Sequence, residues 1–154
     1  MIIKRAKFKN FKKFEDKEVF FDKMTFIKGK NGSGKTTLAL ESLLFALYGY
    51  TIKDALKDLP TRNIAKSCNV EIDIEYRGKL YTVKRNYPTA LFIKINGEEL
   101  QFNNSTEAQK YITDLFGDRL HFQKFRMIDA YTKETNFLDE GQTALKKIIF
   151  SLLN

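Results

Sequence analysis

Gly29-Lys30-Asn31-Gly32-Ser33-Gly34-Lys35-Thr36 is the stretch on which the fold turns. It satisfies G-x-x-x-x-G-K-[ST] at every fixed position, the pattern of a loop that wraps a phosphate chain. The glycines let the backbone curl with its N–H groups inward, where a Cβ would obstruct the turn or the approaching phosphate. Lys35 is placed to neutralise β- and γ-phosphates, and the Thr36 hydroxyl to ligate Mg2+. Gly32, Ser33, Gly34, Lys35, Thr36 and Thr37 are therefore the expected phosphate contacts, with ATP and Mg2+ as the expected ligands.

The flanks support the motif. Residues 24–28, Met-Thr-Phe-Ile-Lys, read as a short apolar strand running straight into the loop. Residues 36–48 read as a helix, with Leu40, Leu43, Leu44 and Leu47 at i, i+3, i+4 and i+7. Ala39 and Phe45 widen that face, and Gly49 stands where a C-cap would. A helix N-terminus behind the loop adds its dipole and free N–H groups to the anion site.

Further out, residues 2–8 and 18–21 read as paired strands about a turn at 10–13, and 52–67 as loop or short helix. Val70, Ile72, Ile74 and Tyr76 alternate with Glu71, Asp73, Glu75 and Arg77, the mark of a half-buried strand. Gly78 turns the chain back through 80–85, and 91–95 forms another strand closed by Asn96-Gly97, a strong hairpin signal. Asn104 and Glu107 have capping-box spacing ahead of a helix ending at Gly117. Leu145, Ile148, Ile149, Leu152 and Leu153 predict a last helix. The expected fold is α/β: a P-loop NTPase lobe spanning 1–154 as one unit, a mixed sheet with an antiparallel portion, and flanking helices.

Composition narrows the function classes. The 154 residues suit one domain with a sizeable core. The 27 Lys and Arg against 19 Asp and Glu give a net charge of +8, which favours polyanions or simply the nucleotide. Cys68 is the only cysteine, so no internal disulfide or CxxC metal pair exists, and it reads as a packing residue. His121, the only histidine, has no triad partner nearby in sequence. No apolar run suits a signal peptide or a membrane span, and the expected compartment is the cytoplasm.

The opening Lys9-Asn10-Phe11, the Gly-Lys-Asn-Gly-Ser-Gly-Lys-Thr-Thr loop, the Leu-Phe-Ala-Leu-Tyr-Gly end of the helix and the Tyr81–Arg85 strand together resemble the SMC/SbcC-type ABC ATPases of DNA double-strand-break repair. The resemblance covers essentially the whole chain. It implies an N-terminal ATPase lobe, followed by a coiled coil and a C-terminal lobe in the same or a separate chain. It also implies head dimers on ATP binding, double-stranded DNA as substrate and an SbcD-type nuclease partner. By the same resemblance Lys12 and Lys13 sit beside the phosphates and Asn31 near the γ-phosphate. Residues 61–64, with Arg62, Asn63 and Ile64, border the adenine. Taken alone, Lys12 and Lys13 read as a solvated basic turn.

Several family parts are missing from these 154 residues: an LSGGQ-type signature, the coiled coil and hook, and an apolar strand ending in Asp-Glu. Phe137-Leu138-Asp139-Glu140 imitates that strand end, but polar residues precede it, so Asp139 and Glu140 read better as the start of the last helix. The Gln-loop position falls near 125–134, where Glu134 is the candidate metal-side residue; Gln123 and Gln142 have poor spacing. No residue is assigned as catalytic. The implied activity is ATP hydrolysis that needs a complementing lobe. The alternative is a self-contained small P-loop nucleotide kinase or another ABC-type ATPase, although Arg62, Arg77, Arg85, Arg119 and Arg126 are scattered, not gathered in a lid. Lys79, Lys84 and Lys94 are the candidate DNA contacts. The chain stops within a helical pattern, which is expected of a fragment.

Overall fold

The computed structural model describes residues 1–52, 54–61, 66–88 and 90–126. Its strands are β1 (Ile2–Phe11), β2 (Phe14–Phe20), β3 (Cys68–Tyr76), β4 (Lys79–Tyr87), β5 (Ala90–Ile95) and β6 (Glu98–Glu99). They form one sheet in the order β2-β1-β3-β4-β5-β6, antiparallel at each pairing. The helices are α1 (Ser42–Tyr48), α2 (Ser105–Phe116) and α3 (Arg119–Arg126). Two compact units divide the chain, Met1–Ile112 and Thr113–Asn154.

Alternation decides the faces of the sheet. Ala6, Ile72, Val83 and Ile93 stand in register across β1, β3, β4 and β5, and all four are buried. The next residue along each strand looks outward, giving the opposed row Lys7, Glu71, Lys84 and Phe92. On that outer face Arg5 donates to Asp73 (2.7 Å), Glu18 (2.8 Å) and Glu71. The bond to Asp73 does most to raise its pKa, so the guanidinium stays charged. The tight turns follow local chemistry. Arg77-Gly78 and Asn96-Gly97 both take positive φ at two successive residues, as two-residue hairpins demand.

Arg85 breaks the alternation on the inner face. Its Nε donates to Ala46 O (3.0 Å) and its Nη2 to Leu47 O (3.2 Å) and Gln109 Oε1 (2.6 Å). It thereby satisfies carbonyls at the end of α1 that have no helical partner, and its charge suits the negative end of the helix dipole. Burial pulls its pKa down to about 10, which leaves it protonated at neutral pH. Gly49 closes α1 with φ 62°, its N–H on Phe45 O (2.9 Å).

Three sequence expectations are corrected. Residues 24–28 carry no strand: Met24 is 77% and Phe26 83% exposed. A strand requires a neighbour for its backbone groups, and no described segment pairs there. The helical stretch 35–48 is continuous but contains a π-turn, Thr37–Glu41, closed by Ser42 N–H on Thr37 O. Burial does not follow a stripe: 41–47 are all buried, Glu41 and Ser42 included, while Leu40 is half-buried. The third, α3, was not foreseen: Gln123 lies in it, buried, and accepts from Arg119 Nη1 (2.6 Å). Asn104 does cap α2, its Oδ1 accepting from Glu107 N–H (2.9 Å), but the Glu107 carboxylate accepts from Asn103 N–H (2.9 Å), one residue before the cap. The expected last helix, Asp139, Glu140, Gln142 and Glu134 lie outside the described residues, as do Arg62, Asn63 and Ile64.

Candidate functional site

The loop at 29–36 is built for a close approach. Gly32 and Gly34 take φ 75° and 91°, a region that L side chains avoid. A Cβ on Gly34 would lie 2.9 Å from Lys13 Cε and from Phe14 Cζ, and one on Gly29 would run into the Ser33 hydroxyl. Ser33 N–H donates to Lys30 O (3.0 Å) and Leu38 N–H to Gly34 O (2.9 Å), so the loop passes directly into the helix. This is a cradle whose space a side chain would fill, and it fits a phosphate chain. Lys35 Nζ lies over the loop, donating to Gly29 O (2.7 Å) and Lys30 O (2.9 Å). Thr36 stands at the start of the π-turn with helical backbone angles.

The hairpin between β1 and β2 covers one side of the cradle. Its turn residues, Lys12 and Lys13, diverge. Lys13 Nζ donates to Gly32 O (2.8 Å), which puts it on the loop itself. Lys12 turns inward: its Nζ pairs with Glu41 and with Asp54 Oδ2 (2.6 Å), and its side chain is only 13% exposed. Lys12 has φ 53°, and its N–H donates to Leu59 O (2.6 Å). Thr61 N–H donates to Asn10 O (2.9 Å), and Pro60 bridges to Phe11. Residues 54–61 are thus stitched to the hairpin, and Thr61 is buried beside it.

Glu41 escaped sequence reasoning. It is 3% exposed, and its Oε2 accepts from Lys12 Nζ and from Thr37 Oγ1 (3.0 Å). Its Oε1 is buried with no hydrogen-bond partner among the described residues. No sequence period marks it, because 41–47 are all buried and the helix is enclosed on every side there.

For a metal, the described residues contain no group of three His, Cys, Asp or Glu side chains able to hold one. A divalent ion at Thr36 would take its other ligands from phosphate oxygens and water, as Mg2+ commonly does. The candidate DNA lysines sit among acids: Lys84 opposes Glu71, and Lys94 Nζ is 3.7 Å from Glu99. Lys79 is exposed at the start of β4. No described helix is long and apolar enough to cross a membrane.

The chain is similar to known proteins along nearly its whole length. The family model for the AAA domain matches residues 5–153. The chain is 37% identical over 87 residues to the DNA double-strand break repair Rad50 ATPase of Thermoplasma acidophilum, covering 56% of this chain and 10% of that protein. It is 30% identical over 160 residues to exonuclease subunit 2 of Enterobacteria phage T4, covering 98% of this chain and 28% of that protein. The chain thus spans about a tenth to just over a quarter of these curated relatives. A structure from work on ATP-driven dimerization and DNA-stimulated activation of SMC ATPases superposes with TM-score 0.68 at 21% identity, covering 99% of both chains. The SMC head domain from Thermotoga maritima gives 0.53 at 25% identity, covering 75% of this chain and 42% of that one. The fold is that of an SMC ATPase head.

Proposed function

The chain belongs to the AAA domain family, and from that premise we propose that it is the ATP-binding lobe of an SMC/Rad50-type ATPase that acts on broken DNA. The observation that carries the reading is the cradle at 29–36, where glycines with φ 75° and 91° lie under Lys13 and beside Lys35. The proposed phosphate contacts are Asn31 through Thr37 and Lys13, with Thr36 facing Mg2+; Lys12, expected beside the phosphates, instead pairs inward with Glu41 and Asp54. When bound, that ion would offset phosphate charge. Lys35 would exchange its loop carbonyls for phosphate oxygens, a stronger, charge-assisted pairing. Arg62, Asn63 and Ile64 remain the proposed adenine border, and Glu134 the proposed Gln-loop residue.

Binding and hydrolysis are separable in this reading. No residue in the described site is placed to activate a water. A C-terminal lobe, covalent or separate, supplies the signature and acidic strand end. Two observations support such a lobe. Residues 24–28 have strand composition, exposed Met24 and Phe26, and no pairing partner among the described residues. Beneath them an apolar cavity of about 190 Å3 opens between Ile3, Phe21, Ile27, Leu38 and Leu43. A strand laid along residues 24–28 would pair the backbone and cover both side chains. Head dimers on ATP binding and a nuclease partner follow from the relatives, one of which is named an exonuclease subunit. The compartment proposed is the cytoplasm.

Duplex DNA is the proposed polymer substrate, bound through its backbone and weakened by salt. The mixed charge around Lys84 and Lys94 makes the outer sheet face a poor lone footprint for it. The test of the whole reading is ATP binding and turnover by the 154-residue chain, with and without a C-terminal lobe. Binding without turnover, and turnover on complementation, is expected. Brisk hydrolysis by the chain alone would sink the two-lobe reading, and transfer of phosphate to a small acceptor would favour a nucleotide kinase.

A further inference from the structure

Resting on the nucleotide reading above, we propose that Glu41, buried at the end of the π-turn, is a positioning residue of the phosphate site. From there it fixes Thr37 at the exit of the loop and, through Lys12, the hairpin that lays Lys13 over the cradle.

Three observations converge on it. The first is the turn itself. One widened turn in an otherwise α-helical stretch is uncommon and concentrates at functional positions. Here it occupies Thr37–Glu41, immediately after the phosphate loop. The second is the cost of what it buries. Glu41 is 3% exposed, and Oε1 lacks a partner among the described residues. A buried carboxylate with an orphaned oxygen is a poor choice for stability alone, since an apolar residue of similar volume is often neutral or better there. The third is the path outward. Oε2 accepts from Thr37 Oγ1 (3.0 Å) and from Lys12 Nζ, and Lys12 Nζ also meets Asp54 Oδ2 (2.6 Å). One carboxylate therefore joins the start of the helix, the hairpin turn and residue 54.

The hairpin shows what this anchorage does. Lys12 takes φ 53°, a conformation disfavoured for a residue with a Cβ and usually left to Gly or Asn. Strain of this kind persists only where surrounding contacts over-determine it. The contacts are the ion pairs to Glu41 and Asp54 and the Lys12 N–H bond to Leu59 O (2.6 Å). With Lys12 pinned inward, Lys13 must project the other way, onto Gly32 O, and Phe14 against Gly34. Glu41 thus sets the position of Lys13 without approaching the phosphates itself.

The experiment is ATP affinity and thermal stability of the 154-residue chain as wild type, Glu41→Gln, Lys13→Met and the double variant. Glu41→Gln is expected to weaken ATP roughly three- to tenfold while the melting temperature stays within a few degrees. In the Lys13→Met background the same change is expected to cost less than about twofold, because its route to the phosphates is gone. An unchanged affinity for Glu41→Gln overturns the proposal. So does a tightened one, which would mean that Glu41 merely sequesters Lys12, and so does a full loss that persists with Lys13→Met. Should Glu41→Gln fail to fold, Asp54→Asn takes its place, because that carboxylate is 41% exposed. A smaller loss that disappears with Lys13→Met is then expected, and an unchanged affinity overturns the proposal. If the wild-type chain itself fails to bind ATP, the nucleotide reading falls and this inference with it; failure confined to the variants leaves that reading standing.

Discussion

The meander β3-β4-β5 and the stretch 21–41 are held by opposite means. In the meander each strand finds its partner within a few residues of a tight turn. Ile72, Val83 and Ile93 meet on the buried face, and Glu71, Lys84 and Phe92 on the outer one. In the stretch 21–41 the chain carries its most explicit chemistry and its least regular structure. There lie a strand sequence without a ladder, a loop of left-handed glycines and a π-turn that buries an acid. The meander is organised by its own packing, while the second region is organised by what it is to hold.

That contrast can be broken in four places. Ile72→Ala in the meander should cost about 3 kcal/mol of stability, since a fully buried aliphatic leaves a cavity among strands that cannot close over it; chemical denaturation reads this, and a loss under 1 kcal/mol would mean a loosely packed sheet. Lys35→Ala should do the reverse, leaving the melting curve nearly unmoved while ATP affinity falls about 100-fold, or ~2.7 kcal/mol. Equal losses in both measurements would erase the distinction between the regions.

Cys68 offers a pH test at the start of β3. Burial pushes its thiol up to about 11 from 9.0, so the folded state favours the neutral form. Its contribution to stability is complete below pH 9 and is lost as pH rises toward 11. Alkylation at pH 8 should accordingly be far slower than in the unfolded chain, and equal rates would place Cys68 outside the core. Smallest of all, Phe26→Ser should change the stability of the 154-residue chain by less than about 0.5 kcal/mol, because the ring is already in water. The same substitution should weaken assembly with a C-terminal lobe, which a titration between the two pieces would detect.

Legibility divided along the same line. Alternation at 70–76 gave the faces of β3 correctly, and Asn96-Gly97 marked a real two-residue turn, because both signals depend only on near neighbours. The phosphate loop was legible for the same local reason: each glycine answers to a dihedral or a close approach. Residues 24–28 misled, since strand composition records a need for a partner without showing whether one is near. Leu40 misled because the helix is fully enclosed only from Glu41 onward, and Glu41 was hidden because burial on every side leaves no period to read. Arg85 was read only as the basic end of a strand, and its partners, the carbonyls of Ala46 and Leu47, carry no sequence identity at all.

The sheet order has a consequence for synthesis. β1 lies between β2 and β3, and Arg5 and Asp73 on those partner strands are 68 residues apart. At roughly 5–20 residues per second, a nascent β1 waits several seconds after emergence before its second neighbour leaves the ribosome. During that interval Ala6, Phe8 and Phe11 have no β3 to lean on, and the hairpin that carries Lys12 and Lys13 has only its own short ladder. The nucleotide cradle lies inside that excursion, so it emerges before β3 can brace the hairpin beside it. A chaperone acting on this chain would find its substrate in the first strand, well before any ATP could be bound.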